Sequence, residues 1–198
     1  MPETLDFYLD FMSPYAYLAY QKLPDLADEF GLQLVPRIID LPDAKKAAGN
    51  TGPRNVDIPP KIRYLKVDLQ RWAQRYGVDL VFPTSLDSQR LNKGVFFASD
   101  RDMVSDYLDA AWSVAWASGA DMSDAAVLAN LARGLGWPEA DFLAFVDSAD
   151  AATRYEVSSM EAHERGVFGV PTMMIGDEMW WGNDRLDFLR DFLMQRRF

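Results

Sequence analysis

Ser13 and Pro14 are the first residues in this chain whose types and order suggest chemistry. The apolar, aromatic-rich run Leu5-Asp6-Phe7-Tyr8-Leu9-Asp10-Phe11 is followed by Met12 and then by Ser13-Pro14-Tyr15-Ala16. The pattern predicts a buried strand that ends where a helix begins, with Ser13 as N-cap and Pro14 at the first helical position. A helix start presents unpaired N–H groups and partial positive charge, so an anion beside the Ser13 hydroxyl is favoured. On the Ser-Pro pair alone, a plain capping role is the simpler account.

A second constellation follows Gly166. Gly166-Val167-Phe168-Gly169-Val170-Pro171-Thr172 leads into Met173-Met174-Ile175, a Gly176-Asp177 turn and Glu178-Met179-Trp180-Trp181-Gly182. Short strand, tight turn and second strand read as a hairpin. A last amphipathic helix is expected from Asp184 to Arg196, with Leu186, Leu189, Phe192 and Leu193 inward.

Composition limits what these residues can do. The chain has 198 residues, 49% of them hydrophobic, enough for one core-bearing domain, with or without an insertion. It has no cysteine, so disulfides, a cysteine nucleophile and thiolate metal ligands are ruled out. With one histidine besides, no metal site is expected. The net charge of −10 argues against nucleic acid and against an anionic membrane surface. An anionic substrate would have to be held by local basic groups against the overall field. Met1-Pro2-Glu3-Thr4 runs straight into the first strand with no signal-like segment, and no apolar run has membrane-spanning length; a cytoplasmic location is expected.

The elements that must position the two constellations can be read from periodicity. A helix is expected from Tyr15 to about Phe30, kinked at Pro24 and ended by Gly31, then a strand from Leu32 to Ile39. Strand, helix, strand of this length is a βαβ unit with parallel strands and a right-handed crossover. From residue 41 to about 165 the period is helical. Lys45 to Pro53 reads as a short basic turn with a Gly/Pro break. Helices are expected over Ile58–Tyr76 with Gly77 closing, Gln89–Ala98, Met103–Ala117, Asp124–Leu135, Glu139–Ala149 and Ala151–Arg165. The division is thus 1–41 with 165–198 as one domain and 42–164 as an inserted all-helical domain, with the site between them.

Together these stretches carry a family resemblance. Asp6-Phe7-Tyr8 with Asp10-Phe11 and Ser13-Pro14-Tyr15, the run Tyr64 to Gly77, Val167-Phe168-Gly169-Val170-Pro171-Thr172 and Asp177 to Leu186 resemble the 2-hydroxychromene-2-carboxylate isomerase family of bacterial naphthalene catabolism. That family is related to kappa-class glutathione transferases and to bacterial disulfide oxidoreductases. The resemblance covers essentially the whole chain and implies an α/β, thioredoxin-like fold with the helical insertion. In thioredoxin-like redox proteins the serine turn carries C-P-x-C; here Ser13 and Ala16 stand at the cysteine positions, and Pro171 stands where such folds place a cis-proline.

The implied reaction interconverts 2-hydroxychromene-2-carboxylate and trans-o-hydroxybenzylidenepyruvate. The ring-opened double bond is first cis, and a nucleophile that adds, permits rotation and leaves again would make it trans. With no thiol in the chain, glutathione is the implied cofactor. Lowering a thiol pKa from ~8.5 by ~2 units needs ~2.7 kcal/mol of preferential thiolate stabilisation. A Ser13 hydrogen bond and the helix start can together supply that order. Ser13 is therefore the implied catalytic residue, as thiolate stabiliser.

The resemblance also implies how glutathione is held. Val170 and Pro171 would meet the cysteinyl residue through backbone, and Trp181, Gly182, Asn183 and Asp184 the γ-glutamyl end; Asn183-Asp184 as ordinary capping residues is the alternative. Lys45 and Asn55 would contact the substrate, Lys45 at its carboxylate, although Lys45 in a Lys-Lys pair also reads as merely solvated. Val56 and Leu86 stand where an arginine and a tyrosine are expected. Relatives are commonly dimers, so a homodimer is implied. A kappa-like transferase that consumes glutathione, or a non-catalytic glutathione- or peptide-binding module, are the alternative readings. His163 reads as an exposed or half-buried helix residue, Trp72, Trp112 and Trp116 as core, and Asp6 and Asp10 as solvent-facing or buried hydrogen-bonding residues rather than a catalytic pair.

Overall fold

The structure is a computed structural model and describes residues 2–196. Thr4–Leu9 forms strand β1, and Ser13 caps helix α1, Pro14–Tyr20, by accepting a hydrogen bond on Oγ from the Ala16 N–H at 3.2 Å. The chain breaks at Gln21-Lys22 and resumes as α2, Leu23–Phe30, ended by Gly31 at φ 66°. Two helices therefore replace the single kinked one expected. Pro24 lies in the first turn of α2, where its missing N–H and fixed φ cost nothing, instead of in a helix interior.

β2, Gln33–Ile38, pairs in parallel with β1 from Thr4 opposite Gln33 to Leu9 opposite Ile38. Next comes α3, Leu41–Ala47, capped by Asp40 through a 2.9 Å bond from the Asp43 N–H. This corrects the basic turn expected there: Lys45 and Lys46 sit in the last turn of a helix, where cations complement the exposed carbonyls. A short 3₁₀ turn, Asn55–Asp57, leads to α4, Pro59–Tyr76, closed by Gly77.

α5, Gln89–Ser99, α6, Val104–Trp112, and a π-helical turn, Ser113–Ala117, follow, so the long helix expected over 103–117 widens at its end. α7, Ala125–Gly134, and α8, Glu139–Val146, precede α9, Ala149–Glu164. α8 stops three residues short of the expected end because Ser148 caps α9, accepting from the Ala151 N–H at 3.1 Å. β3, Thr172–Ile175, and β4, Glu178–Trp181, make the expected hairpin. A 3₁₀ turn, Asn183–Arg185, stands before α10, Leu186–Gln195, which takes Asn183 and Asp184 out of the last helix proper.

Among the described residues the sheet order is β2-β1-β3-β4, with β1 parallel to β2 and antiparallel to β3. β1 is central, and its Leu5, Phe7 and Leu9 are fully buried. The core continues without a gap into the helices that lie between β2 and β3. Phe11 packs on Trp112 with ring centroids 4.4 Å apart and meets Tyr107 edge-on at 6.2 Å. Trp112 and Trp116 are each 1% exposed, as expected of core residues, and Trp72 is half-buried against Tyr76. No helix among the described residues is long and apolar enough to cross a membrane.

Candidate active site

The register brings the two constellations to one end of the sheet. Tyr8 lies opposite Thr172, and Thr172 opposite Trp181, so the end of β1, the start of β3 and the end of β4 coincide. Ser13, the Val170-Pro171 segment and the Gly182–Asp184 turn all extend from that end. Val170-Pro171 is cis. Gly182 N–H donates to the Pro171 carbonyl at 2.9 Å and Thr172 Oγ1 to the Gly169 carbonyl at 2.7 Å, which fixes the segment from both sides. Among the described residues no hydrogen bond claims the Val170 N–H or carbonyl.

Ser13 is 5% exposed. Its oxygen accepts from Ala16, its own N–H donates to the Asp10 carbonyl at 2.9 Å, and its hydroxyl hydrogen remains for a further partner. α1 spans only seven residues, so anion stabilisation at this point depends more on the hydroxyl and nearby N–H groups than on a long aligned helix. Two residues on, the Tyr15 hydroxyl donates to Asp68 Oδ2 on α4 at 2.7 Å. Burial, followed by this carboxylate, pushes the Tyr15 phenol up, and the charge of Asp184 adds to the rise. The 3₁₀ turn carrying Asp184 therefore lies within electrostatic reach of the serine turn.

That 3₁₀ turn has the features of a ligand cradle. Asn183 is 3% exposed, and its Nδ2 is buried with no hydrogen-bond partner. The Tyr76 hydroxyl is its neighbour, where burial raises the phenol and the amide works against the rise. Gly182 has φ 111°, and a Cβ there would stand 2.5 Å from Asp184 Oδ1, so only glycine suits both the backbone and the carboxylate. Asp184 is half-exposed and pairs with Arg185 at 3.3 Å. Trp181, 53% exposed, meets Phe168 edge-on with centroids 4.9 Å apart, an aromatic wall beside the cis peptide. Neither Asn183 nor Asp184 makes a side-chain cap bond to α10. A glutathione γ-glutamyl group would find a carboxylate, an unpaired buried amide and open backbone here, so the residues fit it.

Lys45 is half-buried on α3, on the same helix face as Leu41, and burial lowers its pKa from the ordinary 10.5. The carboxylate of Asp10 opposes that fall and Arg54 adds to it. Asn55 is exposed and its side-chain oxygen accepts from Lys61 Nζ at 3.2 Å; Arg54 is the member of this loop whose charge acts on Lys45. Arg54 itself grips Asp57 through two bonds of 2.8 and 2.9 Å. Val56 and Leu86 are half-buried. His163 is half-buried near the end of α9.

Of the two roles expected for Asp6 and Asp10, the structure shows the buried, hydrogen-bonded one, with partners that periodicity did not give. Asp6, 6% exposed, accepts from Arg37 Nε at 3.0 Å and from Arg165 Nη1 at 2.6 Å, tying β1, β2 and the end of α9. Asp10, 1% exposed, accepts from four donors. A groove of about 800 Å³ runs along the outer edge of β2 past Pro36, Phe96 and Arg154, away from Ser13.

The strand order, the serine turn and the cis-proline hairpin define a thioredoxin-like α/β protein with a helical insertion. A family model described as a DSBA-like thioredoxin domain matches residues 4–194. A 2-hydroxychromene-2-carboxylate isomerase of Pseudomonas putida is 45% identical over 93% of this chain and 91% of its own length. A solved structure of 2-hydroxychromene-2-carboxylate isomerase superposes with a TM-score of 0.93 at 44% identity, covering 97% of this chain and 95% of that one. The chain belongs to the 2-hydroxychromene-2-carboxylate isomerase family of DSBA-like thioredoxin proteins. It is also similar, at 21% identity over 98% of its length and 92% of the relative's, to glutathione S-transferase kappa 1 of Rattus norvegicus.

Proposed function

We propose that this protein is a glutathione-dependent cis–trans isomerase that interconverts 2-hydroxychromene-2-carboxylate and trans-o-hydroxybenzylidenepyruvate in bacterial aromatic catabolism of the naphthalene type. The observation that carries the reading is the buried Ser13 hydroxyl at the start of α1, at the same sheet end as the cis Val170-Pro171 segment, in a chain with no cysteine. When bound, glutathione supplies the thiolate nucleophile that the chain lacks. Ser13 donates its hydroxyl hydrogen to hold that thiolate ionised. Val170 and Pro171 offer backbone groups to the cysteinyl residue, in the manner of strand addition. Asp184 takes the γ-glutamyl ammonium in place of Arg185, Asn183 supplies its unpaired amide, and Trp181 and Gly182 shape the cradle. Lys45, with Asn55 in the neighbouring loop, holds the substrate carboxylate against the net negative field.

The same reading keeps residues 1–41 and 165–198 as the glutathione-binding domain and 42–164 as the helical domain, and places a homodimer in the cytoplasm. Similarity to the isomerases supports the reaction, and similarity to a kappa-class transferase supports the thiol.

The test is to follow the ultraviolet spectrum of 2-hydroxychromene-2-carboxylate with purified protein, with and without glutathione, while titrating free thiol. Conversion that requires glutathione and leaves the thiol count unchanged is the expected result. Loss of thiol would make the protein a transferase, and an absence of turnover would leave a relative with another substrate or a binding module.

A further inference from the structure

Asp10 is the most deeply buried carboxylate around the site, and the mechanism above gives it no task. Its Oδ1 accepts from the Met12 N–H at 3.0 Å, Ser88 Oγ at 2.5 Å and Asn92 Nδ2 at 2.9 Å; its Oδ2 accepts from the Leu41 N–H at 3.0 Å. Three of these donors are N–H groups that can only donate, so the set matches a carboxylate. The Met12 bond closes a turn over Asp10-Phe11-Met12 that delivers Ser13, whose N–H returns to the Asp10 carbonyl. The Leu41 bond falls on the first residue of α3, one turn before Lys45. Asn92 extends the cluster, accepting from the Phe11 N–H at 3.0 Å and donating to the Tyr155 hydroxyl at 3.0 Å.

We propose that Asp10 is a positioning residue that joins the Ser13 turn to α3 and acts as the buried counter-charge of Lys45. The proposal rests on the substrate-binding role given to Lys45 above. Burial drives the Asp10 carboxyl up and the four donors draw it back, and the Lys45 ammonium, lowered by burial, is supported by Asp10. The other charged and titratable groups in the neighbourhood are Arg54, which faces Lys45 from the loop before α4, and Tyr155 of α9, which faces Asp10 and also feels Asp40 and Asp43. Of these, Arg54 works against the charge on Lys45, and Asp10 is the group that works for it.

The test reads Lys45 directly. Lysines are reductively methylated with carbon-13 and titrated by NMR, the Lys45 signal being assigned by its absence in Lys45→Arg. In Asp10→Asn the Lys45 midpoint should fall by about one pH unit, as expected for loss of an adjacent opposite charge. Ser88→Ala, which removes a hydrogen bond but keeps the carboxylate, should leave it within a few tenths of a unit. An unchanged Lys45 midpoint in folded Asp10→Asn would reduce Asp10 to a structural staple and overturn the proposal. Coupling between two sites is reciprocal, so Lys45→Met should raise the Asp10 carboxyl midpoint by a similar amount. An unmoved Asp10 in that variant overturns the proposal even where Asp10→Asn does not fold. Neither titration uses substrate or thiol, so failure of the isomerase reading would show separately, as absence of turnover.

Discussion

Trp116 Nε1 donates a 2.7 Å hydrogen bond to the carbonyl of Phe11, two residues before Ser13. The donor stands in the π-helical turn Ser113–Ala117, and the Trp116 carbonyl in turn accepts from the Val81 N–H at 2.7 Å. The widened turn thus links the loop after α4 to the end of the first strand. Trp116→Phe keeps most of the ring but removes the donor from a buried carbonyl. We expect a loss of about 1–3 kcal/mol, read by urea unfolding, with a fall in kcat/KM larger than any change in glutathione affinity.

Ser13→Ala removes both a cap and the proposed thiolate donor. The cap accounts for about 1 kcal/mol of stability. For activity the nearer analogy is removal of one donor from an oxyanion site, so kcat/KM should fall about 10²-fold. The bound thiol should return toward its free value of about 8.5, moving the acid limb of the pH–rate profile to higher pH. A profile that keeps its acid limb in place would exclude Ser13 as thiolate stabiliser.

Gly182→Ala tests the cradle. Its φ of 111° and the 2.5 Å approach of Asp184 Oδ1 to a new Cβ act together. A cost of about 1–3 kcal/mol is expected from backbone strain. Displacement of Asp184 should weaken glutathione binding about tenfold or more, measured calorimetrically, with substrate affinity less affected.

Lys45 yields a prediction whose sign is set by burial. Its folded midpoint lies below the ordinary 10.5, so burying the ammonium costs stability at neutral pH, and that cost fades as pH rises from the folded midpoint toward 10.5. The same loss of charge should raise KM for a carboxylate substrate on the alkaline side while leaving glutathione affinity unchanged. Lys45→Met should raise that KM about tenfold at neutral pH, as for a lost charge-assisted hydrogen bond, and flatten its alkaline rise. Steady-state kinetics from neutral to alkaline pH would decide it.

Arg165→Met addresses the sheet away from the chemistry. Arg165 donates to Asp6, to the Tyr8 hydroxyl at 2.8 Å and to the Gly176 carbonyl at 2.7 Å, so one side chain links β1 to the tip of the hairpin. Breaking a fully buried ion pair costs about 3–5 kcal/mol; because Arg37 remains on Asp6 and Arg165 is about one-third exposed, about 2 kcal/mol is expected by denaturant unfolding.

The strand–serine–helix turn, the parallel βαβ unit and the closing hairpin were legible because each is written locally. Ser13-Pro14 is a cap and a first-turn proline, and Gly176-Asp177 separates two apolar runs. α3 was not legible. It has seven residues and two buried ones, Leu41 and Ala44, too few for a helical period to stand out beside the Lys-Lys pair. The break at Gln21-Lys22 was missed for a similar reason, since the apolar spacing runs on through it and Pro24 suits either a kink or a new start.

From the residues alone come the absence of a cysteine nucleophile, the serine in its place, the apolar periods and the family to which they belong. Only the tertiary structure decided what Asp10 and Asp6 do. Along the first strand both read as polar residues alternating with apolar ones, either solvent-facing or buried and hydrogen-bonded. The structure buries both, Asp6 beneath Arg37 and Arg165, and Asp10, just past β1, among Leu41, Ser88 and Asn92. The partners of Asp10 at Leu41, Ser88 and Asn92 lie 31, 78 and 82 residues away along the chain. Nothing in local propensity relates such positions: their meeting is set by how the helices between β2 and β3 pack against the end of β1, and a hydrogen bond needs its donor within about 3 Å.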